Sequence, residues 1–285
     1  ILPKYKPNQH GHFDASCDDF YTDIKYIISY MEKIKGTEKE DALLEKLKEK
    51  MYFPIKENDK NLNWAQVSIL YIYTKNLDEY FHNPDNLGYY VRDEDLAKIK
   101  GYDKLISKLG VNSLLKVNLN GPKLSHSTAL ALTQQKYNVS GVGVRKEEKN
   151  PTIDRLEENI NLRSESISIL LWKSFLHLNQ LMNEEATNYF EGELVHHYWN
   201  LTRRIKFESH ILEILKTKQW LYVNKEWVAP SEVLFSELDK KLYPYDSRSY
   251  DMSAEQILAF KIDDLIPDEI LNQLTEEDKD KFDFL

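Results

Sequence analysis

From Asp18 to Lys35 the apolar positions Phe20, Ile24, Ile27, Ile28, Met31 and Ile34 recur at helical spacing. That periodicity predicts a helix that Ser16 to Asp19 can cap and Gly36 can stop. Thr37 opens a second helix over 38–50. A run of aromatic and β-branched residues then predicts a hairpin whose second strand is Trp64 to Tyr73. "PDNLGYYV" reads as a turn and a short strand, and "DEDLAKIKGYDKLISKLGV" as one or two short helices closing on Gly110. Residues 111–150 are the least helical stretch, with "LLKVNLN" and "QKYNVSGVGV" as strand candidates and "RKEEKNPTID" as a charged break. We place a boundary there, giving regions 1–148 and 149–285.

The second region reads as helical up to Arg163 and again from Ser164 to Leu181, where Ile167, Leu170, Leu171, Phe175 and Leu178 form the apolar stripe. Helices over 184 to about 202 and 207–217 follow, then a second hairpin and an acidic helical tail with Ser253 and Pro267 as start signals. The two hairpins look related. "LKEKMYFPIKENDKNLNWAQVSILY" and "LKTKQWLYVNKEWVAPSEVLF" share a helix end at an offset of 168, Leu212 against Leu44, and a tryptophan and serine at an offset of 163, Trp227 and Ser231 against Trp64 and Ser68. The shortening between them falls in the loop, where length changes are tolerated. The expected fold class is α+β, mostly helical, built from two related helix-plus-β-hairpin units, with Trp64 and Trp227 as equivalent core anchors beneath their hairpins.

Composition narrows the function classes. With 285 residues, 41% of them hydrophobic, the chain can bury one large or two ordinary cores. A net charge of −9 repels phosphate backbones, so nucleic acid is not the favoured partner. Cys17 is the only cysteine, which suits a reducing cytoplasm. The longest apolar runs, "VSILYIY" and "ISILLW", are far shorter than the roughly 20 residues that span a bilayer. The start on Ile1 and the apolar end "KFDFL" suggest a piece of a longer protein.

At "SISILLWKSFLHLNQ", "FEGELVHHYW", "ILEILKTKQWLYVNKEWVAPSEVLFSELD" and "MSAEQILAFK", the order of pieces resembles a region of very large proteins carrying a GHKL-type ATPase domain. These are the sacsin-like group, many of them prokaryotic. The resemblance covers most of residues 60–285, and its most specific element is the aromatic hairpin leading to Trp227, Pro230 and Ser231. The first copy departs from it, with Val67 where Pro230 stands in the second. In that group the resembling region follows the nucleotide-binding domain. The glycine-rich turns that let a backbone approach phosphates are missing here: "LEENINLRSES" has Glu-Glu-Asn but no D-x-G-x-G after it, and the chain holds 9 glycines.

Candidate chemistry is sparse. In "HGHFDASCDD" the residues His10, His12 and Cys17, with nearby carboxylates, are metal-ligand types, but no second ligand cluster accompanies them, and an entry segment leading to helix-capping aspartates is the favoured reading. "HHYWNLTRRIKFESH" collects His196, His197, Arg203, Arg204, Lys206 and His210 around Tyr198 and Trp199. The alternatives are a basic face for an anionic partner or a solvated helical stripe, with Glu191, Glu193 or Glu208 as ion-pair partners. Of these, Arg203, Arg204 and Lys206 form the candidate interaction site. Ser125 beside His126 is not a catalytic pair by adjacency alone, and "GVGVRK" is too short for a phosphate loop. We therefore expect a non-catalytic coupling and protein-interaction region without a cofactor of its own. Its partners would be the ATPase domain of its parent protein and an unknown protein, in the cytoplasm. The resemblance also implies a role in prokaryotic defence against foreign DNA. Two other classes remain open: a metal-dependent enzyme or nuclease using His10, His12 and Cys17, and a self-contained adaptor.

Overall fold

The computed structural model describes residues 17–55, 64–81, 89–91, 99–138, 144–185, 187–198, 201–245 and 251–261. The chain divides into two units. The first comprises residues 1–116 and 164–175, the second 117–163 and 176–285.

In the first unit, helix α1 (Cys17–Ile34) and helix α2 (Glu38–Lys50) form a helical hairpin. Gly36 turns the chain at φ +72°, a conformation that a side chain resists. Thr37 stands at the expected N-cap of α2, but its hydroxyl donates backwards to Ile34 O at 2.6 Å. The orphan Gly36 amide instead donates to Glu40 Oε2 at 2.7 Å. Strand β1 (Tyr52–Pro54) pairs antiparallel with β2 (Trp64–Gln66). The expected long strand to Tyr73 does not form. A 3₁₀ turn, Val67–Ile69, interrupts it, and β3 (Leu70–Tyr71) then pairs parallel with β4 (Tyr89–Tyr90). The break lets Val67 and Leu70 both turn inward while Ser68 and Ile69 face out, which a two-residue period cannot do. Helix α3 (Lys75–Tyr80) is capped by Thr74, and helix α4 (Tyr102–Lys108) closes on Gly110 at φ +77°. The core joins Phe20, Ile24 and Met31 of α1 to Phe53, Trp64 and Leu105. Phe20 meets both Phe53 and Trp64 edge-on, each at 5.3 Å between ring centres.

In the second unit, two expectations are overturned. Residues 126–137, within the stretch read as least helical, form helix α5 (His126–Tyr137). Ser125 accepts from Thr128 N as its cap, a signal at hand in "SHST" that weak apolar periodicity obscured. The second correction is larger. Residues read as helical over 184–202 form strand β6 (Glu191–Tyr198), pairing antiparallel with β7 (Leu201–Glu208) and, on its other side, with β5 (Val144–Lys149). Alternation decides it: Ile205 is buried while its neighbours Arg204 and Lys206 are exposed. The Phe207 ring lies across Gly192, where an added Cβ would come within 2.4 Å of it.

Helix α6 (Leu156–Asn161) and helix α7 (Glu165–Glu185) fall as the periodicity predicts, and α7 contributes to both units. Its stripe of Ile167, Leu170, Leu171, Phe175 and Leu178 is buried, together with Trp172. After β7, helix α8 (His210–Thr217) leads into strands β8 (Leu221–Val223) and β9 (Glu226–Val228), a 3₁₀ turn at Pro230–Glu232, and helix α9 (Asp251–Ile257). The fold is α+β and mostly helical. Among the described residues no helix is long and apolar enough to cross a membrane.

Candidate functional site

His10 and His12 lie outside the described residues. Cys17 opens α1, and its side chain is not described. Among the described residues no group of three or more His, Cys, Asp or Glu is arranged to hold a metal ion.

Strand alternation distributes the cationic cluster. Arg204 and Lys206 stand on one face of β7, where Arg204 Nη1 meets Glu193 at 3.0 Å and Lys206 Nζ meets Glu191 at 2.7 Å. The Glu191 carboxylate bonded to the Lys206 ammonium raises its pKa. Arg203 points to the opposite face, its guanidinium 4.9 Å above the Tyr137 ring. The three residues do not share a surface, and two of them already hold carboxylates. Glu208 is engaged with Lys216 at 2.7 Å. The edge of β7 is occupied as well: Lys136 Nζ and Tyr137 OH both donate to Arg204 O, at 3.0 and 2.8 Å. Helix α5 thus closes a strand edge that would otherwise invite pairing.

The histidines separate in the same way. His196 is buried, His197 Nδ1 bonds Thr202 Oγ1 across the β6–β7 hairpin at 2.9 Å, and His210 sits at the start of α8.

Around His210 lies an open polar cleft of about 550 Å³, lined among others by Asn118, Asn120, Asp154 and Arg155. No sequence motif announced it, because its residues come from segments far apart in the chain. Asn118 and Thr152 exchange backbone hydrogen bonds at 2.8 and 2.9 Å, and Gly121 N donates to Asn150 O at 3.0 Å. A Cβ at Gly121 would fall 2.4 Å from that oxygen, so the approach requires glycine. Asn150 reaches both ways, donating to Pro122 O at 2.6 Å and accepting from His210 N at 2.8 Å. Thr152 Oγ1 meets His210 Nδ1 at 2.8 Å. Thr152 is buried, so this hydroxyl–imidazole pair pins the start of α8 rather than offering a reachable nucleophile. Beside it, Lys218 holds the Glu157 carboxylate at 2.5 Å and keeps its pKa low. The cleft can hydrogen-bond a small polar ligand, and nothing in it selects a reaction.

The strongest feature is repetition. The pairs Phe53–Ala65 and Pro54–Trp64 in the first hairpin fall, at offsets of 168 and 163, on Leu221–Val228 and Tyr222–Trp227 in the second. The 3₁₀ turns Val67–Ile69 and Pro230–Glu232 are related by the same 163. So are Tyr71 and Leu234, each paired parallel with a later segment, Tyr90 and Lys261. In each copy the preceding helix packs on the 3₁₀ turn.

One expectation about the repeat needs correcting. Trp64 is 8% exposed, but Trp227 is only half-buried, lying against Tyr222 at 5.1 Å between rings. The deep anchor of the second copy is Trp220, 1% exposed, whose Nε1 donates to Leu215 O at 2.7 Å. Sequence reasoning missed it because Trp227 alone aligns with a tryptophan. No family model, characterised protein or solved structure matches the chain.

Proposed function

We propose that the chain is a non-catalytic coupling and protein-interaction region of a larger, cytoplasmic GHKL-type ATPase protein of the sacsin-like kind, acting in prokaryotic defence against foreign DNA. The observation that carries this reading is the repeated helix–hairpin–3₁₀–parallel-bridge module, whose strand registers agree residue for residue between copies. Tandem packed modules suit a body that transmits a rearrangement, because packed interfaces switch between discrete arrangements rather than deforming continuously. The ATPase resemblance rests on the order of sequence pieces around Trp227, Pro230 and Ser231. The nucleotide chemistry would belong to the parent's other domain.

Two measurements test this. Calorimetric titration of the chain with Mg-ATP should give no heat of binding, and micromolar binding overturns the non-catalytic assignment. In the parent protein, a non-hydrolysable ATP analogue should change amide exchange over 52–71 and 221–238. Unchanged exchange in both hairpins overturns the coupling role.

A further inference from the structure

The outer face of the α1–α2 hairpin is a shallow apolar groove of about 430 Å³. Tyr26 and Tyr30 form one wall and the partly buried Leu43 the other, above Leu47, which is itself core, and Lys33 closes one end. Tyr26 is 66% exposed and Tyr30 50% exposed, although both follow one another by a single turn on a helix whose opposite face is core. Two large aromatic rings held side by side in solvent are unusual for a helix that already has a buried stripe.

Among the described residues, the exposed charge along the groove is mainly cationic. Along α2, Lys39, Lys46 and Lys50 fall on the same stripe as Leu43 and Leu47 by helical spacing, and Lys33 continues the Tyr26–Tyr30 stripe of α1. All four lysines are exposed. The carboxylates of α2 at Glu38, Asp41 and Glu45 fall away from that stripe, and Glu49 stands beside it with its carboxylate 3.8 Å from the Lys50 ammonium. Glu40 is turned to Gly36 and Lys108, and Glu32 lines a separate small cavity with them. On the α1 stripe stand two carboxylates, Asp19 near the far end and Asp23, which is buried.

We infer that this groove is a docking site for an acidic amphipathic helix of a protein partner. Its apolar side chains would lie between Tyr26/Tyr30 and Leu43, with its carboxylates meeting the lysine rim. An amphipathic helix laid into an apolar groove is a recurrent mode of recognition, and tyrosine adds a hydroxyl that donates to carboxylates. Local charge complementarity, rather than the chain's net charge of −9, sets the choice. This docking site does not depend on the coupling role, and its test reads binding alone.

The test titrates the full chain against two labelled peptides of about 18 residues, long enough for several helical turns. Both carry leucines at helical spacing and differ only in having glutamate or lysine elsewhere. The glutamate peptide should bind at least about ten-fold more tightly than its lysine twin, and should weaken several-fold as salt is raised. Lys33→Glu/Lys46→Glu/Lys50→Glu should reverse the preference, and Tyr26→Ala/Tyr30→Ala should abolish binding, with the circular dichroism unchanged in both. If the triple variant fails to fold, the single exposed change Lys46→Glu should still lower the preference. Equal affinity for the two peptides, absence of binding, or a preference that survives charge reversal overturns the inference. So does self-association of the chain that disappears in Tyr26→Ala/Tyr30→Ala, which would make a second copy the occupant.

Discussion

The two copies of the helix–hairpin module share a backbone plan and differ in how each is held. In the first, α1 lays Phe20 against Phe53 and Trp64, so the hairpin face is covered and its tryptophan is core. In the second, Leu221, the counterpart of Phe53, is buried as well, but Trp227, the counterpart of Trp64, lies against Tyr222 and stays half-buried, and the deep aromatic anchor is Trp220. The 3₁₀ turn is also held differently. Lys116 Nζ donates to Val67 O and Ser68 O at 3.2 and 2.9 Å in the first copy, whereas the Lys261 amide donates to Pro230 O at 3.2 Å in the second. A repeated backbone therefore fixes strand register but leaves burial to whatever packs on each copy.

The largest effect that sharpens this contrast should come from Trp220→Ala, with a loss of about 3 to 5 kcal/mol from the cavity and the broken bond to Leu215. Trp64→Ala should fall near the lower end of that range, and Trp227→Ala nearer about 1 kcal/mol, because its ring is already partly exposed to water. Urea midpoints rank the three. A Trp227→Ala loss equal to that of Trp220→Ala would mean that the second hairpin is covered like the first.

Glu40 gives the next contrast. Hydrogen bonds from Lys108 and the Gly36 amide hold its carboxyl below the ordinary value of 4.5. The folded state thus binds its proton less readily than the unfolded chain. The stability it adds is present above about pH 4.5 and fades as pH falls through the lowered value. Glu40→Gln should destabilise the chain at neutral pH and flatten its acid limb. Glu208→Gln, at the offset position on exposed β7, should do neither measurably.

Lys116 gives a further contrast, at alkaline pH. Burial pushes its ammonium down to about 8 from 10.5. Between those values the unfolded chain holds the extra proton, so this group makes stability rise with pH across that window. Lys116→Met should remove that rise in denaturation curves compared at pH 8 and 10.5. The backbone amide that does the equivalent work in the second copy does not titrate, so the second 3₁₀ turn should show no such dependence. A small effect on stability is expected for Arg204→Glu/Lys206→Glu, since both cations are largely exposed. Loss of partner binding in that folded variant would still mark the face as a recognition surface.

Apolar spacing in the sequence determined α1 and α7, because each buries an apolar stripe whose period is local information, and Thr37 marked the start of α2. Gly36 and Gly110 marked their turns for a similarly local reason, a positive φ. The kinship of the two hairpins was legible too, through Trp64, Trp227 and the serines after them. Only tertiary structure decided that 191–208 is a hairpin. "EGELVHHYW" and "LTRRIKFE" carry apolar and charged residues that satisfy either period, and pairing with β5 and packing against α5 select the strand. That one decision sent Arg203 to the opposite face from Arg204 and Lys206 and dissolved a patch that looked continuous on paper. The polar cleft at Thr152 and His210 was likewise invisible, since its members are brought together by long-range backbone pairing that leaves no spacing to read. Burial of Trp227 was undetermined for the same reason: a side chain's exposure depends on what other segment covers it, and its own neighbours in sequence do not carry that information.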